Sequence, residues 1–362
     1  MHFHLYIPIG GTVDIASHVL DGSDQVREIA TPTGGPWGGK QVDQNLIDLF
    51  DSIFGKDFMT KYQEQSPKEW LDMQTHFETL KKGFKPDGSS HISIPVRYNF
   101  GELCDDQHDK SVKKVIKENA HKGVTFNNGE IVINPQKSSA LFEPVISKIV
   151  SHLRQHLRKP EMKKLDFIFL VGGFSECLVL QQEIKKAFGG NGLKILTPSS
   201  AQLAVVKGAV LYGHQPREIK SRRARFTYGS AVSERFDAKI HDPAYKRVDA
   251  RGFARCDDIF RVYITQGDEI TVGEKKSFSV NAPVDSAVEY ISLLRLDGKP
   301  AKPVQYINAP GIRDLGQIQL ATPTSSSKRD INLTLDVGCT EINVSAVFVA
   351  TGRKSDMKYP LL

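Results

Sequence analysis

The sequence predicts an α/β chain in two parts, a strand-and-helix part followed by a part built of strands alone. Three observations carry this. Residues 165–188, LDFIFLVGGFSECLVLQQEIKKAF, run from an apolar strand through a glycine pair into a helix. A second glycine pair, Gly10-Gly11, lies between two strand-like runs near the start. After Gly213 the apolar spacing changes from helical to alternate residues and stays that way.

Taken in order, residues 5–9 form a strand, and Ile9-Gly10-Gly11-Thr12-Val13-Asp14 turns into another in which Val13, Ile15 and Val19 share a face. Gly34-Gly35-Pro36-Trp37-Gly38-Gly39 reads as a flexible, backbone-exposing turn. Asp43 then starts a helix with Leu46, Ile47, Phe50, Ile53 and Phe54 inward, its charge favouring the N-terminal dipole. Ser66-Pro67-Lys68-Glu69 is a capping box with proline at the first helical position. The helix it opens sets Trp70, Met73, Phe77, Leu80 and Phe84 on one side, and Glu78, Lys81, Lys82 and Lys85 along another. By spacing alone that polar stripe is a solvated face, with pairs worth about 0.2–0.5 kcal/mol each.

Residues 88–137 offer strands at 91–97 and 130–133 around a helical middle at 110–118. Leu141, Phe142, Val145, Ile146, Ile149, Leu153 and Leu157 mark an amphipathic helix. It leads to the apolar run 167–171, expected to be buried on both faces. Gly172-Gly173 follows at once, with Ser175 as helix N-cap and Leu180, Ile184, Ala187 and Phe188 inward. A strand, a glycine pair and a helix let a ligand approach bare backbone, but the same pattern also serves as a plain tight connection. A helix over 201–212 then presents Ala201, Ala204, Val205, Gly208 and Ala209, a small-residue face suited to close packing.

Beyond Gly213, Phe260/Val262/Ile264, Val288/Tyr290/Leu294/Leu296, Ile331/Leu333/Leu335/Val337 and Ile342/Val344/Ala346/Phe348 alternate, with turns at Gly267-Asp268, Asp297-Gly298 and Val337-Gly338. No long helical pattern appears there, which predicts a β-sandwich or a similar layered sheet.

Composition narrows the class. With 362 residues, two or more domains are expected. No apolar run reaches the length of a membrane span, and the N-terminus lacks the marks of a signal peptide. The four cysteines are far apart and form no CxxC pair, so free thiols in a cytoplasmic protein are expected, not disulfides or a zinc site. The net charge of +6 is modest. Much of it falls in residues 217–225, which read as a solvated linker or a nuclear-import signal; with no aromatic residues interleaved, nucleic acid is not an expected partner.

The motifs IGGTVDI, GGPWGGKQVD, FETLKK, LVGGFSE and AQLAVVKGAVLYG occur in this order over residues 1–213. As a set they resemble the actin-like ATPase superfamily, and within it the divergent twelfth subfamily of the seventy-kilodalton heat-shock proteins. A weaker likeness to that family's peptide-binding domain runs through INLTLDVGCTEINVSAVFVATGRK. The resemblance implies a partial actin-like ATPase domain at 1–213 (lobe II plus the last helix of lobe I). A basic linker at 214–226 and a β-rich substrate- or partner-binding domain at 227–362 would follow. It implies ATP or ADP as ligand, with Gly10, Gly11, Thr12 and Asp14 on the phosphate and Mg²⁺ side. Gly38 and Gly39 would wall the cleft, and Glu78, Lys81, Lys82, Gly172, Gly173 and Ser175 would meet the adenosine.

The departures are equally informative. Where the family carries an aspartate and a further glycine before this turn, the chain has Ile7 and Ile9. Isoleucine can neither take a proton nor order a metal-bound water, and losing one general base costs about 10²–10⁴ in rate. Relative to the family, the first phosphate turn and most of lobe I are missing, as is the helical lid. The expectation is therefore a divergent, truncated chaperone-like protein with weak or vestigial nucleotide binding, no catalytic residue, and Mg²⁺ only if the missing lobe were supplied. Its enzymatic status stays open. Polypeptide clients or signalling proteins are the expected partners. A non-catalytic protein-interaction module is the alternative, with a sugar-kinase-like phosphotransferase behind it. The basic linker predicts that the two domains are uncoupled.

Overall fold

The computed structural model describes residues 2–9, 11–20, 25–85, 87–119, 122–190, 192–215, 219–282, 286–298, 300, 302–324, 329–337 and 341–360. The chain is mixed α/β and divides into two units. The first holds Met1–Leu20 and Pro32–His214; the second holds Asp21–Thr31 and Gln215–Leu362.

The first unit opens with β1 (His2–Ile9), β2 (Thr12–Leu20) and β3 (Val26–Gly35), the last contributing to this unit from Pro32 onward. Helices α1 (Gly39–Phe54), α2 (Lys56–Gln65) and α3 (Pro67–Gly83) follow, then β4 (Ile92–Pro95), α4 (Tyr98–His108), α5 (Val112–Glu118), β5 (Val124–Asn127) and β6 (Glu130–Ile133). The unit closes with α6 (Pro135–Leu157), β7 (Phe167–Leu170), α7 (Leu178–Phe188), β8 (Lys194–Leu196) and α8 (Ala201–His214). Its main sheet has the order β3-β2-β1-β7-β8, with β1 antiparallel to β2 and parallel to β7. A small antiparallel sheet, β4-β6-β5, stands apart from it.

Alternation builds β2 as expected: Val13, Ile15, Ser17 and Val19 are buried. Val13 and Ile15 meet α1 and α6, whose inward residues include Val42, Leu46, Phe50, Phe142, Val145 and Ile149, in one continuous core. Trp70, Met73 and Phe77 of α3 join that core as the spacing predicts. α6 starts earlier than its apolar stripe, because Asn134 caps it by accepting from Lys137 N at 2.9 Å and Pro135 takes the first helical position.

Several expectations are corrected. α1 begins at Gly39, so Gly34 and Gly35 end a strand, Gly38 is the N-cap, and Asp43 lies a full turn inside the helix. The capping box at Ser66 does not form: its side chain makes no cap bond, and Glu69 instead accepts from the Tyr62 hydroxyl at 3.3 Å. β7 is buried on one face only, with Ile168 and Leu170 inside and Phe167 and Phe169 half-buried. In α8 only Ala201 of the small-residue face is buried; Leu203, Val205, Val206, Val210 and Leu211 are each at least 40% exposed.

In the second unit, the start of β3 pairs parallel with β9 (Ile219–Arg223). The basic segment is therefore partly a strand and not a free linker. Arg223 donates through its backbone to the buried Glu28 at 2.5 Å and pairs with Glu269 at 3.3 Å. Next come β10 (Thr227–Arg235), β11 (Lys246–Val248), β12 (Ala254–Ile264), β13 (Glu269–Thr271), β14 (Lys275–Asn281), β15 (Val288–Leu296), β16 (Ile312–Ala321), β17 (Asp330–Val337), β18 (Glu341–Phe348) and β19 (Arg353–Pro360). Except for β13, which pairs antiparallel with β9, they form the sheets β11-β12-β10-β15-β16 and β14-β17-β18-β19. One apolar core draws on both sheets, with Tyr228, Ile291, Leu293 and Ile318 from the first and Ile331, Leu333, Val344 and Phe348 from the second. This is a two-layer β architecture.

The expected alternation in β17 and β18 is met throughout. In β15 it is not. A register shift between Leu293 and Leu294 turns the strand over: Tyr290 is exposed, Ile291 and Leu293 enter the sandwich core, and Leu294 and Leu296 join Phe260 in a separate small cluster. β12 departs similarly, with Val262 exposed and Tyr263 buried. Cys104, Cys177 and Cys256 are buried free thiols, while Cys339 lies outside the described residues. Among the described residues no helix is long and apolar enough to cross a membrane.

Two histidines tie α6 to the sheet. His156 Nε2 lies 2.7 Å from the Ser17 hydroxyl, and His152 Nε2 lies 3.0 Å from that of Thr33. Burial brings the His156 imidazole from its ordinary 6.5 down to about 4, with Lys159 and His152 adding to the effect. The folded state thus binds fewer protons than the unfolded one, and stability is lost as pH falls from about 6.5 towards 4. Both tryptophans, Trp37 and Trp70, belong to the first unit, so their fluorescence during urea unfolding reports on it alone. The unfolding midpoint should drop over that pH window, and a His156→Gln chain should lose most of the dependence.

Candidate functional site

The site is built from the β1–β2 turn, the start of α1, the end of α3 and the turn after β7, all within the first unit. Gly10 lies outside the described residues. Gly11 is exposed at the turn, and its carbonyl accepts from Gly38 N at 3.4 Å. Thr12 Oγ1 donates to Asp14 Oδ2 at 3.2 Å. The antiparallel register sets Asp14 opposite Ile7 and Thr12 opposite Ile9. The position where a second carboxylate would stand beside Asp14 is thus taken by isoleucine.

Gly38 and Gly39 carry the contact onward. Gly39 is buried, and a Cβ there would sit 3.2 Å from the Phe174 ring and 3.4 Å from Lys81 Nζ. Only a residue without a side chain allows that approach at no cost. Lys81 is the deepest charge of the site, its side chain 7% exposed. Its ammonium donates to Asp43 Oδ1 at 2.6 Å and to the Gly39 carbonyl at 3.3 Å. The expected solvated stripe is therefore broken: Glu78 and Lys85 are exposed, Lys81 is inside and Lys85 falls beyond the helix end. Burial raises the Asp43 carboxyl above its usual range and outweighs the opposing pull of Lys81.

Lys82 reaches the other side of the site, pairing with Glu176 at 3.4 Å, both side chains about one-third exposed. Gly172 has φ +89°, which favours glycine, and its N–H donates to the Ala201 carbonyl at 2.7 Å. Gly173 through Glu176 form a single 3₁₀ turn. Ser175 is not the cap of α7. Its hydroxyl is buried and donates back to the Gly172 carbonyl at 2.6 Å, closing the turn, while α7 starts at Leu178 behind Cys177. Burial pushes the Cys177 thiol up, which removes it as a nucleophile.

The structure thus links Gly11, Gly38, Gly39, Lys81, Lys82 and the 173–176 turn through successive contacts; Glu78 stays on the exposed side of α3. Asp43 and Phe174 are residues of this site that sequence spacing does not single out. Asp43 lies 38 positions from its partner Lys81, and the local pattern marks it only as a helix start. At the β1–β2 turn itself Asp14 supplies a carboxylate, and it already accepts from Thr12. No group of three or more His, Cys, Asp and Glu that could hold a metal is found among the described residues.

No protein-family model matches the chain. It is 31% identical over 353 residues to human heat shock 70 kDa protein 12A, covering 95% of this chain and 51% of that protein. It is 30% identical over 358 residues to human heat shock 70 kDa protein 12B, covering 95% and 52% respectively. Among solved structures, a non-polymerisable ParM quadruple mutant aligns over 59% of this chain and 47% of its own, at 11% identity and a TM-score of 0.34. The chain is a homologue of the heat shock 70 kDa proteins. Its likeness is to the 12A and 12B members, along nearly its whole sequence. It spans about half the length of these curated relatives.

Lys81 and Asp43 should behave as a buried pair. Truncating Lys81 to Ala leaves Asp43 half-buried without its cation and should cost about 2–4 kcal/mol. Lys81→Met with Asp43→Leu should cost less than the sum of the single changes, as read from urea unfolding followed by tryptophan fluorescence. Full additivity would mean the pair contributes nothing.

Proposed function

We propose that the first unit binds an adenine nucleotide weakly and does not hydrolyse it, and that the second unit binds polypeptides, as a divergent heat shock 70-like protein. In this reading Gly10, Gly11 and Thr12 face the phosphates, with Asp14 beside them. Gly38 and Gly39 wall the cleft. Glu78, Lys81, Lys82, Gly172, Gly173 and Ser175 line the adenosine side. The observation that carries the reading is the unbroken run of contacts from Gly11 through Gly38 and Gly39 to Lys81 and Phe174. It joins the two diglycine turns through the start of one helix, whose dipole favours an anion. The homology to the heat shock 70 kDa proteins supports the choice of nucleotide.

Chemistry sets the limit on turnover. With Ile7 opposite Asp14, no second acid can take a proton from water at this turn. Lys81 is already held by Asp43 and Gly39, so it positions the cleft wall and does not meet a phosphate. Lys82 and Glu176 bridge the gap between α3 and the 173–176 turn, and the adenosine would lie against that pair. A second reading, a non-catalytic interaction module, draws on the exposed apolar side of α8.

Titration calorimetry with ADP decides between them. Binding weaker than ~1 μM is expected, a free energy smaller in magnitude than about 8 kcal/mol. Lys82→Ala should weaken it, and Lys85→Ala should leave it unchanged. No heat at millimolar ADP, or indifference to Lys82→Ala, favours the interaction module. ATP hydrolysis should not exceed that of buffer; magnesium-dependent turnover abolished by Asp14→Ala would overturn the non-catalytic reading.

A further inference from the structure

One face of the five-stranded sheet in the second unit carries arginines in register. The antiparallel pairing sets Arg247 of β11 opposite Arg255 of β12, and Arg255 opposite Arg235 of β10. Directly opposed residues point to the same side of a sheet with Cβ atoms about 4.5–5.5 Å apart, and like charges so placed repel each other. Three guanidinium-bearing side chains therefore rise from one row about 10 Å long. Arg235 and Arg247 are exposed and Arg255 is half-buried.

The fold neutralises this row only in part. Asp257 takes Arg247 Nε at 2.5 Å. Arg255 is steered by neutral groups, donating through Nη2 to the Ser233 carbonyl at 2.7 Å and through Nε to the Ser233 hydroxyl at 3.3 Å. Arg235 stands 5.9 Å from the centre of the Phe253 ring. Glu234, the acid next to Arg235 in sequence, points to the other face by strand alternation and is bound by Arg261. Neither Arg235 nor Arg255 is paired with a carboxylate among the described residues. Repulsion that a fold could relieve by substitution is instead held in place, with each guanidinium oriented.

The geometry points to a docking row for an acidic, extended segment of a polypeptide on Arg235, Arg255 and Arg247. The planar guanidinium fork matches a carboxylate through two parallel hydrogen bonds. One apolar side chain is tied to the row, Phe253, which is 53% exposed beside Arg235. A segment with acidic residues along one side complements the row. Single-stranded nucleic acid fits less well, since its bases need open aromatic platforms and the Phe253 ring is already shared with Arg235. This inference rests on the polypeptide-binding reading of the second unit and is independent of the nucleotide.

The test uses the full chain and a fluorescein-labelled peptide in which glutamate alternates with leucine and valine, beside its counterpart with glutamine for glutamate, both read by fluorescence anisotropy. The glutamate peptide should bind about tenfold or more tighter than the glutamine one, and more weakly as salt rises. Arg235→Glu and Arg247→Glu should each abolish that preference, while Lys113→Glu on α5 should not. Equal binding of both peptides overturns the acidic preference and leaves polypeptide binding standing. Binding of neither overturns both. Oligodeoxythymidine that binds more tightly than the glutamate peptide, and loses this with Arg235→Glu, assigns the row to nucleic acid and overturns the proposal. The comparison of the two peptides on the unaltered chain decides the matter even if the charge reversals fail to fold.

Discussion

A buried ammonium has to be paired, and Lys81 meets that requirement in a way that organises the first unit. Its partner Asp43 lies on α1, so the pair draws the end of α3 onto the start of α1. The second acceptor is the Gly39 carbonyl, approached closely because Gly39 has no side chain. The same absence lets the Phe174 ring pack against α1, and Phe174 belongs to the turn that follows β7. One charge thus sets the distance between three elements. The desolvation of Asp43 records what this costs: its carboxyl is raised in spite of the cation beside it. A pair of this kind adds little net stability but fixes one arrangement, because any slippage leaves a charge unmatched.

The second unit solves a different problem. Two sheets share one core, and the bulge at Leu293 and Leu294 lets β15 serve both that core and the small cluster around Phe260. The first two strands of its five-stranded sheet, β11 and β12, are joined across a turn in which Asp249 accepts from Arg251 N and Phe253 N. That turn holds the register, and with it the opposition of Arg247 and Arg255. Charge repulsion on the surface is tolerated where local hydrogen bonds have already fixed the backbone.

Where burial followed a simple period, the sequence was legible. Val13, Ile15 and Val19, the stripe of Trp70, Met73 and Phe77, and the whole of β17 and β18 stand where alternation or helical spacing puts them. The division into a strand-and-helix part and a strand-only part followed from the same signal. Legibility ended where one residue changed the phase. Tyr290 and Val262 were expected inside and are exposed, because a register shift has no signature in apolar spacing. Of the site, the glycine pairs and the two lysines could be singled out, but Ser175 and Asp43 were given the wrong local tasks. Each had a textually adjacent helix to cap; tertiary partners, the Gly172 carbonyl and the Lys81 ammonium, won instead. The Asn134-Pro135 start of α6 was readable and lay just upstream of the apolar stripe.

The outward side of α8 has a thermal consequence. Leu203, Val206, Val210 and Leu211 face water, and apolar surface of that kind is repelled by solvent more strongly as a solution warms. Sulfate and phosphate deepen the effect, and urea relieves it. Attraction between such faces therefore strengthens on warming and weakens on chilling, the reverse of what the chain's positive charge alone would produce.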